Sequence, residues 1–166
     1  AAKSMGSPII IQTSAGTAEY IGYGVIANVC KHLADYESAE VVLHLDHANK
    51  FEDIRKAIAA GYSSVMFDGS ALSFKENVLR TQEVVDYAQA RGVSVEGELG
   101  TIGGMEDGLV VTEQQKAYTN PADAKRFVAE TGIDALAVAV GTNHGQYKSK
   151  TELNIPLLKE IHEIGR

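Results

Sequence analysis

VVLHLDHANKFEDIRKAIAAG, Val41–Gly61, changes rhythm in its middle. Val41 to Leu45 is almost continuously apolar, as in a strand covered on both faces. It then ends polar, with His44, Asp46 and His47 in close succession. Beyond Lys50 the period lengthens. Ile54 and Ile58 supply an apolar stripe, Asn49 and Glu52 have capping-box spacing, and Gly61 suits the stop. Together these make one strand–helix unit.

The same alternation extends outward in both directions. SPIIIQ near Ile10, SSVMFD near Val65, VSVEGEL near Val95 and ALAVAV near Val138 have the composition of buried strands. A helical pattern follows each. After the first, Ile21, Val25, Val29 and Leu33 recur every four residues and predict an inward face. After the third, Ser73 and Glu76 form a capping box, Val78, Val85 and Ala88 line a face, and Gly92 closes it. Asn120-Pro121 opens the fourth helix, Phe127 and Val128 face inward, and Gly132 ends it. Leu157, Leu158, Ile161 and Ile164 mark the fifth. Strand centres recur about every 32 residues, close to the spacing of an eight-unit barrel of about 250 residues. The prediction is an α/β fold, a (β/α)8 TIM barrel of which about five βα units are present, and a single partial-barrel domain over residues 1–166. The opening AAKSMG reads as the tail of a preceding helix, and EIHEIGR as the inside or end of another, so both ends are expected to be cut from something larger.

Composition narrows the function classes. The chain is 45% hydrophobic, 22% charged and carries a net charge of −7. That balance suits a soluble globular unit and argues against a general nucleic-acid or membrane surface. The single Cys30 cannot form an internal disulfide and reads as a core residue. Neither a signal peptide nor a membrane-spanning apolar run is evident, and a cytoplasmic protein is expected.

In parallel βα architectures the site forms at the carboxyl ends of the strands. Here those ends carry Gln12 and Ser14, Asp46 and His47, Asp68, Glu96 and Glu98, and His144. His47 and His144 are metal ligands by type. His32 and His162, on helices, read as ordinary polar residues. His44, inside its strand, either hydrogen-bonds structurally or orients the site. Asp46 and His47 are adjacent and would point to opposite strand faces unless the backbone turns. Glu96 and Glu98 share a face and could bind a cation or raise each other's pKa. Gly100–Gly108, GTIGGMEDG, reads as a mobile flap carrying Glu106 and Asp107. Lys148 could meet a phosphate.

Taken in order, SPIIIQTSAG, HLDHA, GYSSVMFDGS, GVSVEGELGTIGGMEDG and TGIDALAVAVGTNHGQYK resemble the class II, metal-dependent fructose-bisphosphate and tagatose-bisphosphate aldolases. The likeness runs from about Ser7 to Arg166. It implies Asp46 as the acid/base aspartate and His47 and His144 as zinc-binding histidines. Asp68 and Glu98 match carboxylates that hold metal in an alternative or second position, and Glu106 matches the flap carboxylate that moves the substrate proton. Ser14 and Gly145 match the aldehyde-side and ketose-side phosphate contacts, with Lys148 in a neighbouring motif. The implied cofactor is catalytic Zn2+, with a second metal or a monovalent cation as a further possibility. The implied substrate is a phosphorylated sugar, and the implied assembly a homodimer or homotetramer.

Some features depart from the family pattern. Ala48 stands where members usually have glycine, and Ala71 where many have histidine. The third zinc histidine and a phosphate-binding segment belong to seventh and eighth strands that this sequence does not contain, and the first strand is missing too. The chain alone is therefore expected to bind zinc weakly and turn over little. Fructose and tagatose bisphosphate are not separated by these residues, with fructose the default. A Schiff-base aldolase would need a lysine on a strand, and none of the five has one. A metal hydrolase would share the ligands without the flap. An incomplete scaffold without activity is the non-enzymatic alternative.

Overall fold

The computed structural model describes residues 2–100, 104–106, 109–111, 118–142 and 152–165. Helix α1 (Ala2–Met5) precedes β1 (Ile9–Ser14), α2 (Ala15–Ile21), α3 (Tyr23–Glu37), β2 (Val41–Ala48), α4 (Phe51–Ala60) and β3 (Ser64–Phe67). Then come α5 (Phe74–Gln89), β4 (Ser94–Leu99), β5 (Gly104–Glu106), β6 (Leu109–Val111), α6 (Pro121–Thr131), β7 (Ala135–Val138), α7 (Ile155–His162) and a short 3-10 turn (Glu163–Gly165). All five expected strands are present, each with a helix after it. The contacts divide the chain into two units, residues 1–68 with 84–96, and residues 69–83 with 97–166.

In the first unit the sheet order is β1-β2-β3-β4. β1 pairs parallel to β2 from Ile9 opposite Val41 to Ser14 opposite Asp46, so both strands present their polar ends at one level. Leu43, Leu45, Val65, Met66, Phe67 and Val95 are buried, as continuous apolar runs between helices require. Ile54 and Ala57 bring α4 against them, and Glu52 and Asp53 complement its N-terminal dipole. Gly61 caps α4 in the left-handed conformation as expected. Its N-cap is Lys50, without a side-chain bond, and not Asn49. β2 runs on to Ala48, so the first helical turn begins a residue later.

A second expectation fails on α3. Ile21, Val25, Val29 and Leu33 are exposed, while Tyr23 and Ile26 are buried and Ala27, Cys30 and Ala34 half-buried. The helix carries apolar residues on two faces, and the one with Tyr23 and Ile26 packs inward. Gly22 adopts φ +102, which separates α2 from α3 and resets the rotation of the second helix. Cys30 stays a free, half-buried thiol, its pKa raised by burial.

In the second unit β7 lies beside β4. Asn120 accepts from the Ala122 and Asp123 amides, Pro121 opens α6, and Gly132 caps it, all as the sequence predicts. Phe127 is fully buried, in edge-to-face contact with Phe74 at 6.1 Å between ring centres. Its Cε1 would lie 2.9 Å from a Cβ built on Gly97. Glycine there lets α6 approach the β4 backbone between Glu96 and Glu98. Gly97→Ala is expected to lower stability by about 1–3 kcal/mol, the usual cost of overpacking a core; a shift in the urea midpoint checks it. Within the 101–119 insertion the structure adds a short antiparallel hairpin, Gly104 opposite Val111 and Glu106 opposite Leu109, which the glycine content had concealed.

Candidate metal and acid–base site

The site in the first unit grows from an irregularity in β2. Its register against β3 shifts between Leu45 and Ala48, and His47 adopts φ +47. A left-handed histidine costs about 1–3 kcal/mol, and such strain collects where a chain must aim a side chain. This is the turn that the adjacent Asp46 and His47 required. Asp46 Oδ1 lies 4.0 Å from His47 Nε2, so the two side chains lie side by side. His47 Nδ1 is 3.0 Å from Asp68 Oδ2, at the end of β3. With the carboxylate accepting from Nδ1–H, the ring tautomer that places a lone pair on Nε2 is favoured.

Beneath them lies His44, 3% exposed. Its Nδ1 is 2.7 Å from Ser64 Oγ, and its Nε2 is 3.5 Å from Glu96 Oε2 and 3.8 Å from Asp46 Oδ1. Burial lowers the His44 pKa, and the nearby Asp46 carboxylate opposes that shift without reversing it. Burial also raises the Glu96 carboxyl, with the Asp46 charge adding to it.

Unfolded, the His44 imidazole takes a proton near pH 6.5; folded, it resists. Its contribution is fully present above that pH and is lost as pH falls below it. Denaturation at pH 7.5 and 5.5 is expected to show this loss, and His44→Asn to remove that part of the slope.

Ser14 sits opposite Asp46 and caps α2, accepting from the Thr17 amide at 3.3 Å. Glu98 belongs to the second unit, 2% exposed, and its backbone carbonyl accepts from Asn77 Nδ2 at 2.9 Å. Glu106 ends β5, with its side chain outside the described residues. His144, Gly145 and Lys148 lie outside them as well.

Three positioning residues had been missed. Ser64 gave no signal in the sequence. Asn77, held by Thr81 Oγ1 at 3.1 Å, was detectable only as an amide among the apolar positions of α5. Thr119 donates to the Leu99 carbonyl and accepts from the Ala139 amide, joining the end of β4 to β7.

A family model described as fructose-bisphosphate aldolase class-II matches residues 1–164. A fructose-bisphosphate aldolase of Giardia intestinalis is 49% identical over 152 residues, covering 91% of this chain and 46% of that protein. The crystal structure of the YdjI aldolase from Escherichia coli K12 superposes with a TM-score of 0.83 at 34% identity, covering 99% of this chain and 56% of the other. A fructose-bisphosphate aldolase from Campylobacter jejuni gives 0.77 at 28%, with 98% and 54% covered. The chain thus spans about half the length of these relatives. The fold is the α/β fold of the TIM-barrel type expected from the strand rhythm. Among the described residues, no helix is long and apolar enough to cross a membrane.

Proposed function

This chain belongs to the class II fructose-bisphosphate aldolase family, and on that basis we propose that the whole protein is a zinc-dependent aldolase. It would cleave fructose 1,6-bisphosphate reversibly to dihydroxyacetone phosphate and glyceraldehyde 3-phosphate, as a cytoplasmic enzyme of glycolysis and gluconeogenesis. The observation that supports the reading is the left-handed turn at His47, with the Asp46 carboxylate beside an imidazole held by Asp68.

The residues fit the cofactor. An imidazole whose second nitrogen is held by a carboxylate is the usual outer arrangement of a zinc histidine. His47 and His144 would hold the ion, with Asp68 and Glu98 for an alternative or second position. Zinc bound there supplies Lewis-acid stabilisation of negative charge on the substrate oxygens.

Asp46 takes the proton of the C4 hydroxyl as the C3–C4 bond breaks, and the bonding pair passes to C3 to give an enediolate. The C4 oxygen leaves as the aldehyde of glyceraldehyde 3-phosphate. Glu106 then protonates the enediolate carbon, and closure of its flap keeps water out. In condensation both residues run in reverse. Ser14, Gly145 and Lys148 would meet the phosphates. The assembly proposed is a homodimer or homotetramer.

The test is a coupled assay of triose phosphate release by the whole protein from fructose and tagatose bisphosphates. Zinc content would be measured, activity removed with a chelator and then restored with zinc. Zinc-loaded protein that frees no triose phosphate from either sugar would sink the reading, and release of inorganic phosphate instead would favour a hydrolase.

A further inference from the structure

We propose that His44 is a positioning residue for Asp46, its tautomer set by Ser64. The proposal rests on the reading of Asp46 as the acid/base group. His44 and Asp46 are two residues apart on β2, in unbroken register with Gln12 and Ser14 of β1, and so share a strand face. Ser64 is the direct sheet partner of His44, which explains the 2.7 Å approach of its hydroxyl to Nδ1. The opposite nitrogen, Nε2, is buried, lacks a hydrogen-bond partner among the described residues and faces two carboxylates.

With both carboxylates ionised, only one proton arrangement suits both ends. An ionised carboxylate accepts and cannot donate, whereas a serine hydroxyl does either. With the proton on Nε2, a donor faces Asp46 and Glu96, and Ser64 donates to the Nδ1 lone pair. With the proton on Nδ1, a lone pair would face the Asp46 carboxylate, and Glu96 would have to be protonated to satisfy it. The 3.8 and 3.5 Å separations exceed a good hydrogen bond. The Nε2–H therefore lies between two acceptors without being committed to either. Asp46 is restrained in direction by the facing donor, yet keeps its lone pairs available for a substrate proton.

The experiment has two arms. In the first, 15N-imidazole correlation spectra at pH 7.5 report the His44 tautomer. Expected is Nε2–H in the parent protein, a mixed or exchanging tautomer in Ser64→Ala, and retention in Ser64→Thr, which keeps the hydroxyl. A predominant Nδ1–H form, or a Ser64→Ala spectrum like the parent's, overturns the proposal. In the second arm, His44→Leu is expected to lower kcat by about 10–100-fold, the range for orienting groups one step removed from the chemistry, with KM little changed. His44→Gln, which retains an N–H donor, is expected to recover part of that loss. Residues that merely fill space would change stability without this split or rescue, and an unchanged kcat in folded His44→Leu refutes positioning. Absence of aldol cleavage in the parent protein would refute the functional reading instead, while the tautomer arm still decides for or against the Ser64–His44 assignment.

Discussion

Replacing Asp46 with asparagine is expected to lower kcat for aldol cleavage by about two to four orders of magnitude, the usual contribution of a general acid–base group. Asparagine has the same shape and keeps hydrogen-bonding capacity, so on the proposed role what is removed is the ability to take the C4 proton. Asp46 lies at the carboxyl end of β2, opposite Ser14, with its side chain 24% exposed. The folding cost of the exchange should accordingly be small, within about 1 kcal/mol of the parent, as for substitutions outside a packed core. KM should move far less than kcat, because the lost interaction develops in the transition state. Steady-state kinetics on the whole protein, with urea denaturation as a control for folding, checks all three. A variant whose kcat stays within about tenfold of the parent would remove Asp46 from the acid–base role.

Phe127→Ala should have the largest effect on stability, a loss of about 3–5 kcal/mol. The side chain is fully buried, meets Phe74 edge to face, and lies against Gly97. Deleting the ring gives up its transfer free energy and leaves a cavity that β4 and α6 cannot close without moving. Coupling to Gly97 makes the prediction sharper. Gly97→Ala alone overpacks this contact, but in Phe127→Ala the added methyl enters vacated space. The double variant is therefore expected to be more stable than the sum of the singles implies, by about 0.5–3 kcal/mol. Strict additivity in urea midpoints would show that the ring and the glycine do not share the contact. Gly97 lies in β4, the strand that carries Glu96 and Glu98.

The limits of sequence reading show at particular residues. The two faces of α3 could not be ranked from periodicity, because both are apolar; the packing buries Tyr23 and Ile26 and leaves Val25 and Val29 exposed. The cap of α4 was misplaced by one residue because capping-box spacing does not reveal how far the preceding strand continues. Ser64 carries no chemistry of its own in the sequence. It matters because it pairs with His44 across 20 residues of chain.

What the sequence determined by itself was the order of elements and the placement of polar groups at strand ends. Both follow from local physics: apolar runs must be covered, helices must be capped, and polar side chains collect where strands stop. The proposed partnership of Asp46 with His47 was also legible, but only on the condition of a turn. The tertiary structure met that condition, through a register shift against β3 and a left-handed His47. It likewise decided that His44 is bracketed by Ser64, Asp46 and Glu96. Such arrangements depend on the pairing of strands remote in the chain, and strand register is a cooperative property of the packed sheet.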